Sequence, residues 1–289
     1  MHQSMISAVL EDCDLQSHSS KFEWQSISGG CINDCFKISM QKETYFLKIN
    51  GAMPADFFQK EASGLDLLRK HSEFNIPNVL KVGHMKSHGY LLLAFIESAQ
   101  RKTTFWEGLG IKLAELHSIT QSSFGLDEDN YIGELVQKNT KLDEWHEFFW
   151  TQRLQPQLKL AYGNGRASQQ VVNDFNQLNK KLNVLFPIEP PALLHGDLWS
   201  GNFMTDQLGL ATVIDPAIYF GHREAELAFT RLFGGFDKSF YESYESHLPL
   251  ESGFNERIDI YNLYPLLVHL NLFGASYLQQ IKLILKRFI

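Results

Sequence analysis

The stretch His195-Gly196-Asp197-Leu198-Trp199-Ser200-Gly201-Asn202, followed by Val213-Ile214-Asp215-Pro216, decides the reading of this chain. An apolar run, Ala192-Leu193-Leu194, leads into the first segment, and a second run, 210–214, ends on Asp215. The two runs predict a hairpin with polar residues at its mouth. A plain polar turn would also use Asp and Asn. Two Asp and one Asn in this order also supply what phosphoryl transfer from ATP requires. Asp197 is the candidate catalytic residue, a carboxylate that orients the acceptor hydroxyl and takes its proton. Asn202 and Asp215 are candidate hard-oxygen ligands for the Mg²⁺ that bridges the phosphates. The Asp-x-x-x-x-Asn spacing is that of a kinase catalytic loop, with Gly196 where protein kinases carry Arg.

Upstream lie residues suited to holding the nucleotide. Gly29, Gly30, Cys31, Ile32 and Asn33 fall between two predicted strands, where glycines let backbone amides approach phosphates. A hairpin turn explains Gly-Gly equally well. Lys48 sits among apolar neighbours in Tyr45-Phe46-Leu47-Lys48-Ile49 and is placed to meet the phosphates, with Glu61 of the next helix as its partner. The alternative is a strand-edge Lys and a solvated Glu. The order of loop, Lys, Glu, Asp-x-x-x-x-Asn and second Asp favours the nucleotide reading. Ala94, Phe95 and Ile96 begin the linker to the second half, where an adenine would bond to backbone atoms.

Periodicity predicts a short helix over 5–13 and strands over 22–27, 34–40, 44–49, 79–84 and 89–95, with a helix over 57–71. That makes a compact N-terminal lobe, residues 1–96. From 103 onward the pattern is helical, over 106–117, 143–162, 168–185, 224–233, 257–273 and 275–288. Residues 97–289 form the second lobe, so the fold class is α+β. Trp145, Phe148, Phe149 and Trp150 read as core, and His269 as a satisfied buried histidine. Trp199, Tyr219 and His222 flank the chemistry and are candidate substrate-side residues, with simple packing between the lobes as the alternative.

The chain has 289 residues, 44% of them hydrophobic, which is ordinary globular composition. A net charge of −7 argues against a nucleic-acid partner. No apolar run is long enough to span a bilayer, and the first ten residues do not resemble a secretory signal. Three cysteines make no complete disulfide framework or zinc site, so a reducing cytoplasm is expected.

These residues closely resemble the fructosamine kinase (ketosamine-3-kinase) family over nearly the whole chain. His195 to Asn202 matches the family signature without a gap. Asp215-Pro216-Ala217, Tyr219 to Glu224, Leu232 to Phe236, and His269 to Gly274 are similar as well. So are Leu113 to His117, Asn130 to Gly133, and Gln137 to Asn139 upstream. The resemblance implies a bilobal protein-kinase-like fold and ATP-dependent phosphorylation of the 3-hydroxyl of ketosamines, free or on protein lysines. It implies a role in deglycation. Glu226 stands where the family has Asp, a carboxylate expected to brace the 195–202 loop, and Ala94 stands where a Glu often begins the linker.

Composition and spacing alone reach a small-molecule kinase. Gly196 and the short path from Asp215 to the next helix argue against a protein kinase. An aminoglycoside- or choline-type kinase and an inactive nucleotide-binding scaffold are the alternatives. Cys31, beside Gly29-Gly30 and near Lys48, further suggests a redox-sensitive loop and a dimer linked through that thiol. The alternative is an ordinary thiol in a turn.

Overall fold

The computed structural model describes residues 2–15, 21–27, 32–85 and 87–289. Gly29, Gly30 and Cys31 lie outside the described residues. Helix α1 (His2–Asp12) precedes strands β1 (Glu23–Ser26), β2 (Asp34–Met40) and β3 (Glu43–Asn50), helix α2 (Phe57–His71), and strands β4 (Val79–Met85) and β5 (His88–Ala94). The five strands form one antiparallel sheet in the order β1-β2-β3-β5-β4.

Alternation along the strands gives the sheet two apolar faces. Leu47 and Ile49 of β3 and Tyr90 and Leu92 of β5 pack under Ile6, Val9 and Leu10 of α1. Leu91 and Leu93 point the other way, into a core shared with Phe58, Ala62, Leu65 and Leu68 of α2. Lys48, one residue from Leu47, therefore emerges on the α2 side. The core on that face continues without a break into the helical half.

That half contains α3 (Phe105–His117), β6 (Asn130–Ile132), β7 (Leu135–Gln137), α4 (Trp145–Phe148), α5 (Gln155–Gly163), α6 (Gln169–Asn179) and α7 (Leu182–Leu185). Next come β8 (Ala192–Leu194), β9 (Phe203–Thr205), β10 (Ala211–Val213), β11 (Tyr219–Gly221), α8 (Arg223–Leu232), α9 (Lys238–His247), α10 (Phe254–Phe273) and α11 (Leu278–Phe288). Helix α10 is buried around most of its circumference, through Ile260, Tyr261, Leu263, Tyr264, Leu266 and Leu267, and forms the axis of this half.

The structure departs from the expected elements in several places. The predicted helix 143–162 is divided by a π-helical turn, Phe149–Leu154, just before Pro156. Proline cannot donate to the carbonyl four residues back, so the regular ladder is interrupted there. The predicted helix 168–185 divides into α6 and α7. The expected hairpin between runs 192–194 and 210–214 does not form. Instead β8 pairs with β11, and β9 pairs with β10. Two short ribbons thus meet end to end, bringing the 195–202 loop beside 214–218.

Tyr219 and His222 are corrected to core residues. Tyr219 is 4% exposed and stacks on Phe148. His222 is fully buried and lies flat on Trp145, 4.6 Å between centroids, with its Nδ1 bonded to the Tyr261 hydroxyl. Alternation on β11 turns Tyr219 inward, and the α8 start carries His222 behind it.

Burial, aided by the charges of Arg257 and Arg223, presses the His222 pKa well below its ordinary value. An unfolded chain takes up that proton near pH 6.5, which the folded one refuses, so the contribution to stability is present above that pH and lost below it. Thermal unfolding of the wild type should therefore fall between roughly pH 7.5 and 5.5, by up to about 1.4 kcal/mol per pH unit for this proton. His222→Gln keeps a partner for Tyr261 without titrating, and its unfolding temperature should fall less steeply over the same range.

Candidate active site

The 195–202 loop links β8 to β9, and the polar groups of His195, Asp197 and Asn202 are engaged by named partners. Asn202 Nδ2 donates to the Asp197 carbonyl at 2.8 Å and to its carboxylate at 2.7 Å, which fixes the Asp197 rotamer. His195 is fully buried; its Nε2 donates to Ile214 O at 2.9 Å and its Nδ1 accepts from Asp197 N. Ile214 N donates to Asn202 O, and Ala217 N to His195 O. The loop and the Asp215 segment are thus laced together. Gly196 has φ +84°, and a Cβ there would lie 1.9 Å from Ala217 O. No residue with a side chain fits, which explains Gly in place of Arg.

Beneath this loop lies Glu226, near the start of α8. Its Oε2 accepts from His195 N at 3.0 Å and its Oε1 from Gly196 N at 2.6 Å, while His117 Nε2 lies 2.9 Å from Oε2. Two backbone donors require an ionised carboxylate, so His117 Nε2 carries a proton and its Nδ1 accepts from the Tyr244 hydroxyl at 2.8 Å. Burial alone would raise the Glu226 pKa, but the hydrogen bonds from His117 and the Gly196 amide hold it below the usual range. Burial lowers that of His117. The longer arm of Glu therefore reaches both amides. Gly110 makes the relay possible, since a Cβ there would lie 2.3 Å from Phe240 O, and only its absence lets α3 and α9 come close enough.

Lys48 Nζ bridges Glu61 Oε1 at 2.7 Å and Asp215 Oδ1 at 2.5 Å. Burial favours loss of its proton, but the two carboxylates outweigh burial and keep the ammonium charged. Burial also raises the Glu61 carboxyl, against the pull of Lys48. Asp215 has φ +55°, an uncommon conformation for a residue other than Gly. Burial pushes the Asp197 carboxyl well above the carboxylate range; the Asn202 bond opposes this, and the charges of Asp215 and Glu226 add to it.

Ile32 and Asn33 reach the same cleft. Asn50, at the end of β3, holds them by donating to Ile32 O and Asn33 Oδ1, both at 2.9 Å. At the linker, Ala94 N donates to Asn78 O and Phe95 N to Thr44 O, which leaves Ile96 as the candidate amide for a base. Lys37 fastens this linker from β2, its ammonium 4.2 Å from the Phe95 ring centre and 2.9 Å from Glu97. The two described cysteines are free, and burial raises both thiols, Cys35 to about 11.

Asp197, Asn202, Asp215, Lys48 and Glu61 open onto one cleft of about 230 Å³. Its far wall comes from β6–β7 and from the end of α10: Tyr131, Ile132, Gly133, Val268, His269, Leu272 and Phe273. Trp199 lies on its rim, 38% exposed, its ring over Gly201. His269 differs from the expected buried residue: it is half-buried and lines the cleft. Its Nδ1 donates to Pro265 O at 2.8 Å, which leaves Nε2 as an acceptor among Phe233, Phe273 and Tyr277. Sequence reasoning also missed His117, Tyr244, Asn50, Asn130 and Gln137. The β6–β7 region is fastened to α2 as well, through Tyr131 OH to Asp56 at 2.8 Å, a Lys60–Glu128 ion pair, and Phe57 packed against Tyr131.

The fructosamine kinase family model matches residues 2–289. The chain belongs to the fructosamine kinase family. An Enterococcus faecium protein named "Probable ketoamine kinase" is 40% identical over 267 residues, 91% of this chain and 94% of its own length. The chloroplastic protein-ribulosamine 3-kinase of Arabidopsis thaliana is 37% identical, covering 87% of this chain and 78% of its own. Among solved structures, a fructosamine-3-kinase candidate from Haemophilus somnus superposes with a TM-score of 0.86 at 29% identity, over 98% of this chain and 96% of that one. The aminoglycoside phosphotransferase APH(4)-Ia shares the fold, with a TM-score of 0.64 at 19% identity over 97% and 98%. The fold is therefore the bilobal, kinase-like α+β fold. In this member of the fructosamine kinase family the expected carboxylate brace is supplied by Glu226, which reaches the loop from the start of α8.

Replacing Glu226 by Gln leaves one of the two backbone amides facing an NH₂ group. Stability in denaturant should fall by about 2–3 kcal/mol, the range for a lost bond to a buried charge. Turnover should fall with it even at temperatures where the variant is folded.

Proposed function

We propose that this chain transfers the γ-phosphoryl group of ATP to the 3-hydroxyl of ketosamines, the Amadori adducts of sugars with amines. One observation carries this reading: Asp197, Asn202, Asp215 and the Lys48–Glu61 pair converge on a single cleft in a member of the fructosamine kinase family. The names of the relatives, ketoamine kinase and protein-ribulosamine 3-kinase, support the same substrate class.

Asp197, held by Asn202, accepts a hydrogen bond from the 3-hydroxyl and orients its oxygen toward the γ-phosphorus. The new P–O bond forms as the bond to the ADP oxygen breaks, and the hydroxyl proton passes to Asp197 in or after a loose transition state. Lys48, directed by Glu61, meets the phosphates, and Ile32 and Asn33 close the site from above. The Asp215 carboxylate and Asn202 Oδ1 are the hard-oxygen donors that fit Mg²⁺, and Asn202 bonds to Asp197 through Nδ2 alone. Mg²⁺, when bound, offsets the negative charge of the phosphate oxygens. Trp199 and His269 face the space left for the sugar, the ring offering an apolar face and Nε2 an acceptor for a hydroxyl.

The cleft favours this class over aminoglycosides. Those are polycations, and their recognition calls for carboxylates beyond the reaction machinery. Among the described residues that line this cleft, the acids are Glu61, Asp197 and Asp215, all engaged already. Phosphorylation at C3 turns a hydroxyl into a good leaving group. Loss of a C1 proton then expels phosphate, and hydrolysis of the resulting imine frees the amine, which accounts for a role in deglycation. None of the described helices is long and apolar enough to cross a membrane; the cytoplasm suits the reaction.

A panel of ketosamines, aminoglycosides and choline assayed for ATP turnover tests the substrate class, and turnover confined to ketosamines is expected. Asp197→Asn should leave nucleotide affinity near wild type and cut turnover by roughly 10²-fold or more. Near-normal turnover would remove Asp197 from this role. Asp215→Ala should abolish the Mg²⁺-dependent part of nucleotide binding measured by calorimetry; unchanged Mg-ATP affinity would remove Asp215 from the metal site.

A further inference from the structure

Arg153 heads the largest fully buried side chains, and no carboxylate among the described residues pairs with it. A guanidinium stays charged in any protein, and burying one without a counter-ion is costly. The cost is offset by rings and carbonyls. Its Cζ lies 3.9 Å from the ring centre of Tyr219, 4.7 Å from that of Phe148 and 5.5 Å from that of Tyr264. Nη1 donates to Lys138 O and to Gln152 O, the carbonyl that Pro156 cannot reach. Nη2 donates to Asn139 Oδ1 at 2.8 Å, and Nε has no partner. The π-helical turn holds this residue in place, and such turns gather at functional sites.

A group that only donates fixes the direction of every amide beyond it. Asn139 must turn its oxygen to Arg153, so its Nδ2 donates to Asn130 Oδ1 at 2.9 Å. Asn130 Nδ2 then donates to Ile218 O at 2.8 Å. Gln137 Nε2 donates to Asn130 Oδ1 and to Ala217 O, both at 2.9 Å, while its oxygen accepts from Tyr264 OH. The chain of donors therefore ends on the two carbonyls that follow Asp215-Pro216. Asp215 itself is in the left-handed region, a conformation that persists where its surroundings over-determine it.

We propose that Arg153 is a positioning residue that acts through Asn139, Asn130 and Gln137 to hold the backbone after Asp215, and so sets the metal-binding carboxylate. The proposal rests on the reading of Asp215 as a metal ligand. It assigns no contact between Arg153 and nucleotide. Its effect falls chiefly on the metal-dependent part of binding, because Glu61 also holds Lys48 and Asn50 holds the 32–33 segment.

Calorimetry of a non-hydrolysable ATP analogue, with Mg²⁺ and with a chelator, separates the possibilities in wild type, Gln137→Met, Arg153→Lys and Asp215→Ala. Gln137→Met and Arg153→Lys should reduce the Mg²⁺-dependent gain in affinity about 10-fold, in the range seen when an outer-shell partner of a metal ligand is removed. Affinity in chelator should stay at the wild-type value, which a general loss of structure would not preserve. A full Mg²⁺-dependent gain in folded Gln137→Met overturns the proposal. If neither variant folds, the network is a folding element and the proposal is also overturned. Asp215→Ala is the control: if it keeps the Mg²⁺-dependent gain, the metal reading fails first and this inference falls with it. If it loses the gain while both network variants keep it, only this inference fails.

Discussion

Two backbone amides, those of His195 and Gly196, converge on one buried carboxylate, Glu226, and the geometry of the site depends on that contact. The loop has no regular structure of its own, so nothing else satisfies these donors. Bonds to a charge are stronger than neutral ones and fix the loop relative to α8. Through His117 and Tyr244 the same carboxylate is tied to α3 and α9. A flexible segment thereby acquires the rigidity of three helices, which a site requiring sub-ångström placement needs.

From this floor the order spreads outward. His195 carries it to Ile214, Ala217 returns a bond to His195, and Asn202 turns the Asp197 carboxylate. Lys48 closes the ring by binding both Glu61 and Asp215. Without nucleotide Lys48 is shared between two carboxylates, so the phosphates must compete with a carboxylate for it.

The place of the candidate site was legible in the sequence because phosphoryl transfer demands particular residue types at fixed spacing, and those residues do line one cleft. Asp197, Asn202 and Asp215 could be named from that demand, and alternation along β3 was enough to turn Lys48 toward α2. Pairing was not legible. Strands of three residues, such as β8 to β11, are too short for alternation to reveal a partner, so the hairpin was drawn between the wrong runs. Tyr219 and His222 were chosen for nearness in sequence, whereas the cleft wall takes His269 from α10, far along the chain. His269 offered no signal apart from a polar position in the largely apolar second half of α10. Asn130, Gln137 and Asn139 look like loop residues until Arg153 gives their amides a direction.

The tie between α2 and the β6–β7 region has a consequence for control. Asp56, Phe57 and Lys60 hold the first turns of α2 against Tyr131 and Glu128, and Glu61 is the very next residue. Swinging this helix aside would break an ion pair, a hydrogen bond and an aromatic contact together. The familiar way of silencing kinases, by withdrawing the glutamate from its lysine, is thereby disfavoured. Such a site stands assembled at rest, its lysine–glutamate pair already formed before any nucleotide arrives.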